Sequence, residues 1–216
     1  LGKYTIILIY GESADISHLK DRYEGIDFIK FPDKYFESRK SLSSLFLLED
    51  FYERFSWSDY ILIHELNSWI VKDELHYWCK QGYDYLKGEP AGGGVSDFGR
   101  LKGLNAHEKS TMDKGFANNG IQLCHVDSIR KTLRSKSSIA YEYRHHPEWI
   151  YADALFWELE ANRFWPKLRF TTKVVLKRFA AITDNNNSGS KEDRHVWPFA
   201  LTNVQANTIE DLPSFL

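Results

Sequence analysis

Hydrophobic positions fall into two alternating periods along the chain. Tyr4 to Tyr10 (YTIILIY) is an almost unbroken apolar run rich in β-branched residues, the pattern of a strand covered on both faces. Gly11 closes it, and Asp15 to Tyr23 predicts a short helix with Asp15 as N-cap. Ile26 to Phe31 predicts a second strand, stopped by Pro32. Leu42, Leu45, Leu48, Phe51, Tyr52 and Phe55 recur at three- and four-residue spacing, which predicts one amphipathic helix over Ser41 to Phe55. Asp59 to His64 is the next buried strand, with Glu65, Leu66 and Asn67 just past its end.

Asp73 is placed to cap a helix over Glu74 to Gln81, and Tyr83 to Leu86 follows as a short strand. Lys87 to Asn105, with Gly92-Gly93-Gly94 inside it, reads as a long loop. Asn118-Asn119-Gly120 predicts a turn into the strand Ile121 to Cys124. Val126 to Ser137 and Tyr151 to Arg163 predict helices, and Asp184 to Arg194 a polar loop. Alternating strands and helices predict an α/β sandwich, one domain over 1–216, with a central mixed, mostly parallel sheet. Ligands in such sheets bind beyond the carboxyl ends of the strands. That rule points to Glu65–Asn67 and to the segment around Asn118–Gly120.

Charge narrows the choice of partner. Lys plus Arg is 28 and Asp plus Glu is 30 in 216 residues, so a net charge of −2 gives no footprint for nucleic acid. The longest apolar runs, such as Ile6 to Tyr10, fall far short of the roughly 20 residues a transmembrane helix needs. With no signal-peptide pattern either, the expected location is cytoplasmic. Cys79 and Cys124 are too few for a disulfide framework or a four-sulfur zinc site, and read as free buried thiols.

The chemistry concentrates in Asp59 to Leu86. A strand that ends in Glu65 and Asn67 at alternate positions reads either as a polar turn or as hard oxygen ligands for Mg²⁺ or Mn²⁺. Such a cation would neutralise the charge of a diphosphate leaving group. Trp69, Trp78, Trp149 and Trp157 are candidates to stack on sugar faces, against the plainer reading as core. Arg144-His145-His146 resembles a metal cluster, but adjacent histidines in an extended segment face opposite ways. Lys173, Lys177 and Arg178 suit a solvated helix face or a diphosphate grip, and Gly92–Gly94 lacks the ending of a phosphate loop.

Taken together, these segments resemble a glycosyltransferase-like domain of unknown function placed with the GT-A type nucleotide-sugar transferases. The resemblance rests on Phe36-x-Ser38, Phe51-Tyr52-x-x-Phe55, Tyr60 to Ile63, Trp69, Asp73-Glu74-Leu75, Trp78-Cys79 and Gly82 to Tyr85. It continues through Asn118 to Leu123 and Asp153 to Trp197-Pro198-Phe199, covering about Tyr4 to Phe199. It implies a GT-A-like three-layer fold, a nucleotide-sugar donor and a glycan or other hydroxyl acceptor, in a setting such as polysaccharide biosynthesis. It also implies Glu65 and Asn67 as ligands of a divalent cation (Mn or Mg), Trp69, Asn118, Asn119 and Gly120 as substrate contacts, and Asp153 as the base. An inverting transfer needs one base to take the acceptor hydroxyl's proton; the plainer reading of Asp153 is an acid favoured by the helix dipole.

The departures fall on polar positions. Glu65-Leu66-Asn67 stands where the family usually has Gln-Leu-Asp, Cys124 where it has Arg, and Ala152 where an acid precedes Asp153. Phe179-Ala180-Ala181-Ile182 replaces a Phe-x-x-Glu element, and Thr202 stands where a His is expected. A catalytically inactive carbohydrate-binding or scaffold domain on the same fold is therefore the alternative. The family carries a further strand upstream of the part matching Tyr4, and this chain opens at Leu1, so a domain lacking its first nucleotide-binding strand is expected.

Overall fold

A computed structural model describes residues 3–88, 120–147, 149–161, 163, 167–182, 197–202 and 204. The predicted loops at 89–105 and 184–194 and the residues Asn118 and Asn119 lie outside them.

The chain opens with a β–α–β unit. Strands β1 (Ile6–Gly11) and β2 (Ile26–Phe31) pair in parallel from Ile6↔Ile26 to Gly11↔Phe31. Parallel neighbours need a crossover, supplied here by helix α1 (Ser17–Arg22). Asp15 starts that helix from one residue outside the N-cap, which is Ile16, by accepting the Ser17 N–H at 3.0 Å.

The periodicity from Ser41 to Phe55 resolves into two helices rather than one, α2 (Arg39–Leu45) and α3 (Glu49–Glu53). Leu45, Phe46 and Leu47 are all at least 98% buried. A straight helix would spread three successive residues around most of its circumference. The extended Leu48 (φ −98°, ψ 130°) instead turns all three inward, and Glu49 and Asp50 open α3 where its dipole favours acids.

Strand β3 (Tyr60–His64) leads through a turn to β4 (Ser68–Ile70), helix α4 (Leu75–Lys80) and β5 (Tyr85–Lys87). Asp73 does not cap α4. It binds the Lys3 ammonium at 2.5 Å and the Tyr4 hydroxyl at 2.8 Å instead. Strand β6 (Ile121–His125) then runs into α5 (Val126–Ser135) and α6 (Ser137–His145). Helix α7 (Ala152–Leu155) continues as a π-helical turn over Phe156–Glu160. Helix α8 (Lys173–Phe179) and the short strands β7 (Ala180–Ile182) and β8 (Ala200–Thr202) follow.

The molecule is thus mixed α/β, but the described strands form three small sheets rather than one mostly parallel sheet. β6 sits between β3 and β5 and is antiparallel to both. β8 pairs antiparallel with β4 and parallel with β7. A continuous apolar run reports burial on both faces, not strand direction, which is why the sequence pattern misled here.

Burial on both faces is what β3 does show. Ile61 and Ile63 face the larger core with Phe46, Phe51, Tyr52 and Trp157, while Tyr60 and Leu62 face a smaller one with Trp78, Leu123 and Phe179. The β3–β6–β5 sheet is therefore a wall between two hydrophobic layers. Each large side chain buried there contributes about 1.5–3 kcal/mol. Cys79 and Cys124 are both free thiols, as expected, but only Cys124 is buried and Cys79 is half-buried.

Candidate functional site

The site lies where β3 ends and β6 begins. His64 is paired with Ile121, so the residues just beyond, Glu65 and Gly120, are forced together. The Glu65 N–H donates to Gly120 O at 2.7 Å, and Ser68 Oγ sits 2.7 Å from Glu65 O and 3.0 Å from Gly120 O. Gly120 has φ +75°. A Cβ there would stand 2.3 Å from Asn67 Oδ1 and 3.4 Å from Glu65 Cβ, so the turn requires glycine on both counts. Two segments far apart in sequence thereby present Glu65, Asn67 and Gly120 on one short edge.

Glu65 is held by Arg39, whose Nη1 donates to Oε1 at 2.7 Å, with the two side chains 21% and 23% exposed. Burial pushes the Glu65 carboxyl above the ordinary glutamate value; Arg39 pulls it down, and the Asp153 charge pushes it up again. Arg39 is the first residue of α2, whose N-cap Ser38 accepts the Ser41 N–H at 3.1 Å. Its guanidinium carbon lies 5.2 Å from the centre of the Tyr151 ring. Nε and Nη2 of the same group are buried and make no hydrogen bond among the described residues.

Asp153 stands in the first turn of α7, which packs against α2. It is fully buried. Ser43 Oγ donates to its Oδ1 at 2.5 Å and accepts its N–H at 2.9 Å, a reciprocal pair that ties the two helices. Its place in the first helical turn is the plainer of the two readings made from the sequence, and its charge reaches Glu65. Beside it, burial drives the Cys124 thiol strongly upward, so the sulfur is neutral at physiological pH.

Other sequence candidates are placed elsewhere. Trp69 lies half-buried on β4, where strand alternation puts it on the face opposite Ser68 and its contact with Gly120. Trp78, Trp149 and Trp157 are buried at 2%, 5% and 0% exposure, which makes them core. The Arg144–His146 segment is the end of α6 rather than an extended loop. His145 stacks on Tyr141 at 4.0 Å and His146 on Trp149 at 3.8 Å, so each ring packs on an aromatic of its own.

Arg39 and Ser43 are the site residues the sequence reading missed. A signal was present: a cation in the first turn of a helix opposes the dipole, so a specific partner is needed to hold it there. A divalent cation at this edge would find one carboxylate, already engaged by Arg39, and the neutral amide of Asn67. That donor set fits a hard cation poorly, since charge count is a main determinant of its affinity. Among the described residues, no three His, Cys, Asp or Glu side chains come together to hold a metal. No helix among them is long and apolar enough to cross a membrane.

No curated protein and no solved structure matches the chain. One family model does, over residues 25–201, a span that runs from the start of β2 into β8 and takes in every described residue of the site. On that match the chain belongs to the family described as a protein of unknown function, DUF5672.

Proposed function

We propose that this chain is a glycosyltransferase domain, moving a sugar from a nucleotide-sugar donor to a glycan or other hydroxyl acceptor on a GT-A-like fold in the cytoplasm. The observation that carries the reading is the convergence at the β3–β6 end. Asn67, Gly120 and Asp153, each like Glu65 assigned a role through family resemblance, lie around Glu65 although they are scattered through the sequence. In this reading the edge binds the donor's diphosphate, and Asp153 takes the acceptor proton as the hydroxyl attacks the anomeric carbon.

One observation favours a second reading, a catalytically inactive carbohydrate-binding or scaffold domain. Asp153 is fully covered and committed to Ser43, so its proton-accepting oxygen is not open to an acceptor. Incubation with a panel of nucleotide sugars, with nucleoside diphosphate release as readout, separates the two. Release that is lost in Asp153→Asn supports the enzyme. Sugar or nucleotide binding without release supports the inactive domain.

A further inference from the structure

Arg39 carries a bidentate fork edge that no described residue pairs. Its guanidinium is planar, with Nε–H and one Nη2–H side by side along one edge. Nη1 is the nitrogen that Glu65 holds, at 2.7 Å. Nε and Nη2, the two atoms of the fork edge, are both buried and both lack a hydrogen bond. Leaving donors of a charged group desolvated and unpaired is costly, and such groups in a folded protein call for a partner. The group is also fixed in place, tethered by Glu65 on one side and lying 5.2 Å from the Tyr151 ring centre. A fork held unpaired and immobile matches two oxygens of one phosphoryl or carboxyl group, the geometry at which arginine excels and lysine does not.

We propose that Arg39 is an anion-binding residue that takes two phosphoryl oxygens of a nucleoside diphosphate, in the role a divalent cation would otherwise fill at this strand end. The identity of the anion rests on the glycosyltransferase reading above; the vacant fork does not. Glu65 acts as the positioning residue. It occupies Nη1 and so turns the Nε–Nη2 edge toward the ligand, and its own charge opposes an incoming anion. Asn67, being neutral, adds no further repulsion.

The experiment is a calorimetric titration of the whole chain with inorganic pyrophosphate and with UDP, once in EDTA and once in Mn²⁺. Wild type is expected to bind both probes in EDTA. Arg39→Lys keeps the charge and loses the fork, and Arg39→Met loses both; each should weaken binding at least tenfold, with far-ultraviolet circular dichroism reporting the fold. Glu65→Gln should bind at least as tightly as wild type, the opposite of what a metal carboxylate predicts. Binding seen only with Mn²⁺, or weakened by Glu65→Gln and indifferent to Arg39→Lys, overturns the inference and leaves the glycosyltransferase reading standing. Binding of neither probe under either condition overturns both. Because wild type in EDTA already decides the main point, a variant that fails to fold does not shelter the proposal.

Discussion

The β3–β6 ladder carries a polar cluster at each end, and the two are built to different ends. Near Tyr60 and His125, Asp84 is saturated: Oδ1 accepts from Ser128 Oγ at 2.6 Å and Oδ2 from the Arg169 N–H at 2.7 Å. Its backbone is paired as well, with its N–H donating to Arg169 O at 3.0 Å and its carbonyl accepting from His125 at 2.9 Å. Near His64 and Ile121, the Arg39–Glu65 pair leaves two guanidinium nitrogens without partners. The first cluster ties β5, β6 and α5 to the segment before α8, and every polar atom of the Asp84 carboxylate is used. The second leaves part of a charged group unpaired among the described residues. Saturation marks a structural role, and an open valence in a fixed group marks a place for something else.

That comparison can be broken by stability measurements. Asp84→Ala should have the largest effect, about 3 kcal/mol in urea denaturation, because it removes at once the two acceptors that join Ser128 and the Arg169 N–H. Gly120→Ala should cost about 2 kcal/mol, from the strain of φ +75° together with displacement of Asn67, whose exposed side chain can swing aside. Ser128→Ala removes one donor to Asp84 and should cost about 1–2 kcal/mol.

The paired replacement Arg39→Met with Glu65→Gln should change stability by less than about 1 kcal/mol, since no stranded charge remains. A loss as large as that of Asp84→Ala would make the second cluster structural and erase the contrast. The smallest effect concerns pH. The folded Glu65 carboxyl titrates above its unfolded value, so the folded state binds more protons between the two and stability falls as pH rises through that window. Glu65→Gln should flatten that part of the stability curve, and an unchanged curve would place the titration elsewhere.

How far the sequence reached depended on whether a residue's role was local. The runs Tyr4–Tyr10, Ile26–Phe31 and Asp59–His64 gave β1, β2 and β3 because short apolar runs rich in β-branched and aromatic residues leave a direct trace in composition. Pairing direction leaves none, so the parallel sheet was expected and an antiparallel β3–β6–β5 sheet found. Asp73 looked like a helix cap by its position, yet its partners Lys3 and Tyr4 lie about seventy residues away in the chain. Gly120 and Glu65 were legible as a turn and a strand end, but only the β3–β6 register makes them neighbours. Arg39 was legible only as a cation in a first helical turn, while the lack of partners at Nε and Nη2 among the described residues is a matter of tertiary packing.

The π-helical turn at Phe156–Glu160 has a bearing on which changes in chain length this protein tolerates. A π turn accommodates one residue more than an α turn in the same stretch of axis, so it behaves as an insertion absorbed without breaking the helix. Deleting one residue from it would restore α-helical winding, leave the flanking turns in register and shift the residues inside the turn by one place. Glu160 would then leave the Tyr143 hydroxyl, 3.0 Å from its Oε1, and its carbonyl would leave the Lys136 ammonium at 2.7 Å. Trp157, fully buried within the turn, would swing with it. Homologues lacking the extra residue should therefore differ as a set at the positions of Lys136, Tyr143 and Glu160, and a graft of the shorter helix alone should not fold into this core.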